Sequence, residues 1–537
     1  MHPSTLAKRL NFLLLLVLIA FYFYGLGHLP LIGPDEPRYA QVGREMFLRH
    51  DLVTPTLGGH TWFEKPALLY WLQIAAFKLF GVSEWSARLG PALCGVLTVL
   101  AIWFLARRIE RSTNEVPRTF SQTAALIAAS CLGLIGFSRG ASFDIVITMT
   151  TTWAMSFFFL AATNVDERKE NLYVIGCYFF VGLSLLAKGL VGIVIPGGVI
   201  GSYYLLRREW PNRRLWLSLL WGVPLTILVS SAWYAPVIYK HGWTFVNEFF
   251  VQHHFARYLS NKYHHPQPFY FYPAILLLLT LPWTPFLVAL LVRVGRWKWR
   301  GTGITDQLVV FCFAWLLFPV LFFSFSGSKL PGYILPVLPA VLILISLRVV
   351  QIEAPSSSWP IRTTGVLWTV LGLGGFVYGW RIEHLSILCC VLSAAPFLLA
   401  GVFVLATNTR WFVQAVAASV VVGVIAVLNC GAASVVRRES TRDLLRVADA
   451  QGYSNLRVLA LPGDDRSAEF YAAGRVIYGP YGEVTPVYDV PQLVNEARAR
   501  HERLLAFINS DDLKFYRDRT GVEVIADNGK LALICLY

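Results

Sequence analysis

The sequence predicts an α-helical polytopic membrane protein with a small C-terminal α/β soluble domain. Three observations support this fold class: 56% of the 537 residues are hydrophobic, only 15% are charged, and the mean hydropathy is +0.55. An ordinary soluble domain is about half apolar and about a quarter charged. The apolar runs end near residue 433, so we divide the chain into a transmembrane domain, 1–433, and a second domain, 434–537.

The transmembrane domain contains about thirteen apolar runs of spanning length, which is roughly 17 to 25 residues each. The first run follows Lys8 and Arg9, as in a signal peptide, but no A-x-A-like cleavage site precedes Pro34, which favours a retained anchor. The runs lie near 10–31, 85–106, 119–136, 145–163, 172–187, 190–206, 215–238, 269–292, 304–325, 334–350, 363–380, 385–406 and 411–433.

Arginine and lysine cluster in alternate short loops, which predicts the orientation of the spans. The basic clusters expected in the cytoplasm are 8–9, 107–111, 168–169, 207–214 and 293–300. The segments expected on the periplasmic face are 34–84, 138–144, 240–268, 326–333 and everything after 433. Much of the net charge of +14 is explained by this topology and by attraction to anionic head groups. No nucleic-acid-binding module is visible.

The first outward loop, 34–84, has the patterns of two helices that lie along the membrane surface. Pro37 fits the first turn of one helix, which continues with apolar residues at helical spacing. Pro66 precedes a second helix over Ala67–Phe80, which is apolar enough to lie in the interface. Two such helices would frame a lateral cavity.

The C-terminal domain alternates candidate strands with helical stretches at 441–450 and 491–501, which predicts a small α/β fold. Asn528 and Gly529 accept the positive φ of a tight turn and predict a hairpin between the last two strands. The candidate strands are 457–461, 475–478, 504–508, 522–526 and 531–536.

Charged residues on the predicted outward face are the candidate functional groups, because charges beside a bilayer are costly and usually have a purpose. Acids that face several cations at an interface suit a reaction in which a lipid-linked phosphate leaves while another group attacks. The candidate acids are Asp35, Glu36 and Asp144, and the candidate phosphate ligands are Lys65, Lys188, Arg257, Lys329 and Tyr333.

Asp35 is the preferred catalytic acid, because Pro34 and Pro37 restrict the backbone around it. Its carboxylate would deprotonate an acceptor hydroxyl, or orient an acceptor and stabilise a cationic sugar-like transition state. The alternative for Asp35 and Glu36 is a capping charge at a helix N-terminus. The alternative for Asp144 is a structural ion pair with Arg139.

The cations also have simpler interpretations. Lys65 could only reach lipid head groups, and Lys188 is either a charge in a short turn or a further phosphate ligand. A divalent metal such as zinc could be held by Glu64 and His254 with neighbouring histidines, although His-rich loops commonly bind nothing specific. The eight cysteines form no CxxC pair and lie mostly in the spans, so we interpret them as core residues.

The outward segments resemble those of the lipid A aminoarabinose transferases, which are membrane glycosyltransferases of the C-type fold (GT-C), and more distantly those of the protein O-mannosyltransferases. Together the motifs are specific, whereas each alone is weak. In chain order they are PDEPRYA (34–40), GREM (43–46), FEKPALLYW (63–71), SFD (142–144), AKGLVGIVIP (187–196), HHFARY (253–258), PFYFYP (268–273) and SKLPGYILPVLP (328–339).

The resemblance implies a glycosyltransferase of the bacterial inner membrane with its active site facing the periplasm. It implies inverting transfer of a sugar, an aminoarabinose-like pentose or a hexose, from undecaprenyl phosphate or a similar polyprenyl phosphate. The acceptor would be a lipid A phosphate or another envelope glycan or protein, and no cofactor would be required.

Carried over by position, the resemblance makes Asp35 and Asp144 the catalytic or acceptor-side acids. Lys65, Arg257 and Tyr333 correspond to groups that hold the donor phosphate, and His254 to a family histidine. Some members bind zinc near the position of Glu64. The chain departs from the family where Ala187 stands in place of a frequent threonine, and no motif matches after residue 350.

A lipid or sugar transporter is the alternative from another functional class. Transporters often consist of paired halves whose broken helices meet at the midplane of the membrane. Here the candidate groups collect at one face, most densely in the loop 34–84, and the sequence shows no matching half. The pattern therefore favours an enzyme.

Overall fold

The computed structural model describes residues 3–163, 169–256, 267–352, 359–407, 411–461, 466–479, 482, 484–486, 490–515 and 520–537. α-Helices are the main elements of the region before residue 439. They are α1 (Pro3–Phe23), α2 (Glu36–Leu48), α3 (Leu68–Phe80), α4 (Glu84–Ser112), α5 (Phe120–Ala129), α6 (Leu132–Ser138), α7 (Phe143–Ala162), α8 (Glu170–Lys188), α9 (Val191–Arg207), α10 (Arg213–Val246), α11 (Phe271–Leu279), α12 (Thr284–Leu291), α13 (Ile304–Ser324), α14 (Leu338–Val350), α15 (Trp359–Arg381), α16 (Ile387–Ala406), α17 (Phe412–Val427) and α18 (Ala433–Arg438).

Within these described ranges, eight helical segments are long and apolar enough to cross a membrane. A ninth is reached if α5 and α6, which meet at a bend of 56°, form one broken span. Shorter apolar helices include α3, α9 and the stretch Arg9–Phe23. All thirteen predicted runs overlap helices, which confirms a multi-pass membrane protein, whereas the number thirteen stays a prediction.

The outer surface of α10 shows how the helices meet lipid. Leu220 is 77% exposed and Leu228 is 69% exposed, while Trp233 on the same helix is fully buried. An apolar surface this large is unfavourable in water but is stable against acyl chains. After α10 the chain continues as a π-helix, Asn247–Ala256.

The first outward loop forms the two predicted helices, α2 and α3. Glu36 and Pro37 lie in the first turn of α2, where an acid and a proline are both favourable. Between α2 and α3, β1 (Thr56–Leu57) pairs with β2 (His60–Thr61) in a short antiparallel ribbon. A capping box formed by Ser83 and Ser86 begins α4 and so fixes the entry to the next span.

The C-terminal region forms a five-stranded sheet in the order β4-β3-β5-β7-β6. β3 pairs in parallel with β4 and β5, whereas β7 pairs antiparallel with β5 and β6. The strands are β3 (Arg457–Leu461), β4 (Thr485–Pro486), β5 (Leu504–Asn509), β6 (Val522–Asp527) and β7 (Leu531–Leu536), and the helices are α19 (Arg442–Ala450), α20 (Ser467–Tyr471) and α21 (Val490–Arg500).

Four of the five predicted strands and the last hairpin are confirmed. Gly529 in that hairpin has a φ of 86°, which a residue with a side chain rarely adopts. The predicted strand 475–478 is wrong as a continuous strand, because Val476 and Tyr478 make only isolated bridges. The domain boundary at 433/434 stays a prediction.

The sheet domain docks against the first outward loop. The Tyr471 hydroxyl accepts a hydrogen bond from the Leu31 N–H at 2.7 Å and donates one to Glu84 at 3.1 Å. Arg44 donates to the Phe470 carbonyl at 3.1 Å, and Arg442 pairs with Glu84 at 3.2 Å. The C-terminal domain therefore lies on the same side of the transmembrane region as α2 and α3, as the sequence predicts.

Candidate active site

Five separated stretches of chain meet around one polar cavity of about 180 Å³. They are the start of α2, the turn before α3, the turn before α7, the end of α8 and the turn between α13 and α14, which continues into the 3-10 helix Pro331–Val337 that carries Tyr333. Of the predicted site residues, six line the cavity: Asp35, Glu36, Lys65, Asp144, Lys188 and Tyr333. The structure thus brings together groups that are up to 298 positions apart in the sequence.

Asp35 is the most accessible acid of the cavity, with half of its side chain exposed. It occupies the N-cap position of α2, but its side chain makes no capping hydrogen bond. Its Oδ1 instead accepts a hydrogen bond from Arg38 at 2.8 Å. Arg38 also donates to the Pro34 carbonyl at 2.5 Å and lies over the ring of Trp62, which fixes the orientation of the ion pair.

Glu64 and Lys65 form a second ion pair, with Oε1 and Nζ 2.8 Å apart and both side chains largely buried. This pair is close to the first one. Burial lowers the pKa of Arg38, but the carboxylates of Glu64 and Asp35 outweigh burial and raise it overall. Burial, followed by the same two carboxylates, raises the pKa of Tyr39 well above its ordinary value, so the Tyr39 phenol is neutral.

Glu36 is held in place by hydrogen bonds from two other parts of the chain. Arg88 at the start of α4 donates to both of its carboxylate oxygens, at 2.7 and 2.8 Å, and the Ala141 N–H donates to Oε1 at 2.8 Å. Arg88 also binds the backbone carbonyls of Leu26, Leu29 and Pro30. A catalytic role for Glu36 stays a prediction. This geometry favours a structural role, in which the Glu36–Arg88 ion pair joins α2, α4 and the turn before α7. We call this pair the Glu36–Arg88 bracket.

Asp144, Lys188 and Tyr333 form the third charged group. The Lys188 ammonium donates to Asp144 Oδ1 and lies 4.7 Å from the centroid of the Tyr333 ring. Ser142 caps α7 by accepting from the Asp144 N–H at 3.1 Å and donates to Asp144 Oδ2 at 3.3 Å. The alternative partner of Asp144 is excluded, because Arg139 binds the backbone carbonyls of Phe21 and Tyr24.

Lys329 lies beside the site but does not line the cavity. Its buried Nζ donates to the Ser326 carbonyl at 2.8 Å, which stabilises the turn that carries Tyr333. Arg257 lies outside the described residues, as does the side chain of His254, so both assignments stay predictions. The metal assignment to Glu64 and His254 is also untested, and the described side chains contain no group of three or more potential metal ligands.

Sequence reasoning missed two arginines, Arg38 and Arg88. Arg88 lies at the end of an apolar span, where an ionisable residue indicates a specific partner, so this signal could have identified it. Arg38 is three residues after Asp35 on the same helix, a spacing that allows side-chain contact. Both arginines compensate carboxylates that the sequence analysis left unpaired.

Comparison with known proteins supports the motif analysis. The family model described as dolichyl-phosphate-mannose-protein mannosyltransferase matches residues 64–239. Undecaprenyl phosphate-alpha-4-amino-4-deoxy-L-arabinose arabinosyl transferase from Edwardsiella ictaluri is 30% identical over 368 residues, which is 68% of this chain and 63% of that protein. The enzyme of the same name from Pseudomonas aeruginosa strain UCBPP-PA14 is 31% identical over 365 residues, 67% of this chain and 64% of that protein. The chain spans just under two thirds of the length of these relatives.

Solved structures extend the similarity to nearly the whole chain. The crystal structure of ArnT from Cupriavidus metallidurans bound to undecaprenyl phosphate has a TM-score of 0.76 at 22% identity and covers 97% of both chains. The archaeal oligosaccharyltransferase AglB from Archaeoglobus fulgidus has a TM-score of 0.51 at 14% identity, covering 95% of this chain and 71% of that one. The resemblance to the aminoarabinose transferases is confirmed, and the chain has the C-type membrane glycosyltransferase fold.

Proposed function

We propose that this protein is an integral membrane glycosyltransferase that moves a sugar from a polyprenyl-phosphate donor to an envelope acceptor. The observation that carries the proposal is the single cavity in which the acids Asp35 and Asp144 face Lys65, Lys188 and Tyr333. The names of the related enzymes support undecaprenyl phosphate as the lipid of the donor and an aminoarabinose-like sugar as the group transferred.

The reaction breaks the bond between the anomeric carbon and the donor phosphate oxygen and forms a bond from that carbon to an acceptor oxygen. The polyprenyl phosphate leaves with the electron pair of the broken bond, so negative charge increases on the phosphate. Lys65 and Lys188 would stabilise this charge, and the Tyr333 hydroxyl would add a hydrogen bond. Attack from the opposite face inverts the anomeric configuration.

Asp35 acts on the acceptor side in this mechanism, because it is the acid with the most exposed side chain in the cavity. An acceptor phosphate is already anionic, so Asp35 would orient it and stabilise positive charge at the anomeric carbon. For a hydroxyl acceptor, Asp35 Oδ2 would take the proton, while Arg38 holds Oδ1. Both routes use the same carboxylate.

Asp144 is a positioning residue for Lys188. Its ion pair with the ammonium group, together with the Tyr333 ring on the other side, restricts the lysine to the cavity. A lysine held in place loses less conformational entropy when it binds the donor phosphate. This role also explains why an acid is needed beside a phosphate-binding lysine.

A larger apolar cavity of about 530 Å³ lies between α8, α9 and α10 and supports a lipid-linked donor. Leu185 lines it, one helical turn before Lys188 on α8. Because successive turns of a helix rise 5.4 Å, a chain bound there would continue directly from a phosphate at Lys188. We assign this cavity to the prenyl chain of the donor.

The proposal places the enzyme in a bacterial inner membrane with the polar cavity facing the periplasm. The distribution of arginine and lysine supports this orientation, since positively charged loops favour the cytoplasm. Lipid A is the acceptor that we propose, and the match to the mannosyltransferase family model makes a protein acceptor the second candidate. The comparisons do not favour a transporter.

The test is sugar transfer by the purified full-length protein with an isotope-labelled polyprenyl-phosphate sugar and lipid A. Asp35→Asn should lower kcat by about 10² to 10⁴-fold, the range for a positioned acid or base. Asp511→Asn makes the same change on an exposed surface of the C-terminal domain and should have no effect. Transfer at the wild-type rate by a folded Asp35→Asn protein would exclude its catalytic role.

A second variant tests the donor side. Lys65→Ala should raise KM for the lipid donor by roughly tenfold or more, because a charge-assisted hydrogen bond to phosphate contributes about 1.5 to 3 kcal/mol. KM for the acceptor should change little. An unchanged KM for the donor would remove Lys65 from the phosphate site, whatever the result for Asp35.

A further inference from the structure

A second polar cavity lies at the opposite end of the transmembrane domain from the candidate active site. α13 and α14 connect the two cavities. Thr305 near the start of α13 and Arg348 near the end of α14 line the second cavity, whereas Tyr333, in the turn between these helices, lines the first. The second cavity has a volume of about 300 Å³, at the lower end of the range for small-molecule sites, about 300 to 1,000 Å³.

The walls of this cavity carry an excess of positive charge. Four cations line it, and Asp306 is the one acid among its lining residues. In the part of the chain that the structure describes, none of the four cations takes part in a salt bridge. Two of them, Arg293 and Arg348, are close enough for their charges to interact unfavourably. The cations are Arg293, Arg296, Lys298 and Arg348.

A buried polar atom in this wall also lacks a partner. The Nε of Arg348 has no hydrogen-bond partner among the described residues. Leaving a buried donor unpaired is costly, and most costly for a charged group. A phosphate oxygen in the cavity would accept from this donor and compensate the positive charge at the same time.

Much of the remaining wall is apolar, which indicates what else the ligand contains. Leu290, Val309, Leu344 and Leu347 line it, and the neighbouring Val292 is 78% exposed on the surface expected to meet lipid. Trp297 adds an aromatic residue of the kind that lies at membrane interfaces. A ligand that fits has an anionic head next to an apolar body.

We propose that this cavity binds the head group of an anionic phospholipid, such as phosphatidylglycerol, from the leaflet opposite the active site. By the positive-inside rule that leaflet is the cytoplasmic one. The phosphodiester would contact Arg348, Arg296 and Lys298, and the acyl chains would run along the leucine wall. The bound lipid would join the start of α13 to the end of α14. The opposite ends of these two helices flank the turn with Tyr333. A soluble phosphate shares the anionic chemistry but leaves the apolar wall uncovered.

Native mass spectrometry of the purified full-length protein, titrated with phosphatidylglycerol, tests the proposal. The test variant is Arg296→Gln/Lys298→Gln, which changes two exposed side chains of the cavity. The control is Arg111→Gln/Arg213→Gln, which removes two exposed cations from the same predicted face but outside the cavity. Since each cation near an anionic lipid surface contributes about 1 kcal/mol, the loss of two should lower the affinity for phosphatidylglycerol roughly 30-fold in the test variant. The affinity should stay unchanged in the control.

Three outcomes would overturn the proposal: an equal loss of affinity in the control variant, equal retention of phosphatidylcholine by the wild-type protein, or unchanged affinity in a folded test variant. A competition measurement separates binding of the lipid from binding of a soluble anion. Millimolar glycerol 3-phosphate should leave the bound phosphatidylglycerol in place. Displacement of the phosphatidylglycerol would show a site for soluble phosphates instead. Thermal unfolding of each variant verifies that the protein is folded.

Discussion

Gly332 lies against the carboxylate of Asp144, and an alanine at this position tests the Asp144–Lys188 pair without removing either side chain. A methyl group on Gly332 would lie 2.0 Å from Asp144 Oδ2 and 2.5 Å from its Cγ. Ordinary van der Waals contact begins near 3.4 Å. Either the carboxylate or the turn with Tyr333 must therefore move by more than about 1 Å, the difference between these contact distances.

The movement has a calculable effect on catalysis. A misplacement of about 1 Å in a catalytic constellation can cost about 10²-fold in rate, or about 2.7 kcal/mol of transition-state stabilisation. We expect Gly332→Ala to lower kcat/KM for sugar transfer by this factor. The ion pair of Asp35 is built from other elements and should keep its geometry, so acceptor binding should change less than donor turnover.

The assay is steady-state transfer of a labelled sugar, with thermal unfolding measured on the same preparations. Gly136→Ala is the matched control, because a methyl group on Gly136 has no atom within 4 Å. Wild-type kcat/KM in a folded Gly332→Ala protein, or an equal loss in Gly136→Ala, would refute the reasoning. If the Gly332→Ala protein unfolds at a lower temperature than the wild type, Asp144→Asn tests the same pair, because it keeps the size of the side chain.

Three further predictions concern stability and use thermal or denaturant unfolding. Arg88→Ala leaves the Glu36 carboxylate and three backbone carbonyls without their partner, so we expect a loss of about 3 to 5 kcal/mol; a change below 1 kcal/mol would contradict the bracket. Tyr471→Phe removes the acceptor of the Leu31 N–H and should cost about 1 to 3 kcal/mol, with faster proteolysis between the domains. Burial raises the pKa of Glu469, so the folded protein holds this proton more tightly than the unfolded chain. Stability should then fall as pH rises from the ordinary carboxyl pKa through the folded pKa, and Glu469→Gln should remove that slope; an identical slope in the variant would disprove it.

The site residues could be predicted because membrane topology limits which charged residues can lie on the same face of the membrane. Once the basic loops are placed in the cytoplasm, Asp35, Lys65, Asp144 and Tyr333 must lie near one surface, although far apart in sequence. Their motifs carry short-range constraints that the structure confirms, such as Pro37 in the first turn of α2. The convergence of these residues in one cavity follows from these two kinds of information.

The ion-pair partners could not be predicted in the same way. Glu36 and Arg88 are 52 residues apart, and the packing of both α2 and α4 against α3 brings them together. Asp144 has Arg139 nearby in sequence, yet it pairs with Lys188 at the end of α8, because Arg139 binds backbone carbonyls at the end of α1. Sequence reveals which residues face outward, whereas the geometry of helix packing decides which charges compensate each other.

The C-terminal domain contacts two of the helices that carry or support residues of the candidate active site, α2 and α4. Tyr471 and Arg442 both bind Glu84 at the first turn of α4, and Arg44 on α2 binds the Phe470 carbonyl. α2 begins with Glu36, and α4 contains Arg88, so the domain is attached to both sides of the Glu36–Arg88 bracket.

This attachment supports a mechanical role for the domain, one that requires no contact with substrate. A shift of α2 relative to α4 would move Asp35, at the start of α2, with respect to the turn before α7, where Ala141 also holds Glu36. Because buried ion pairs lose their stabilisation steeply when their geometry changes, contacts that oppose this shift keep the acid in place. These contacts directly support a role for the domain in stabilising the position of Asp35.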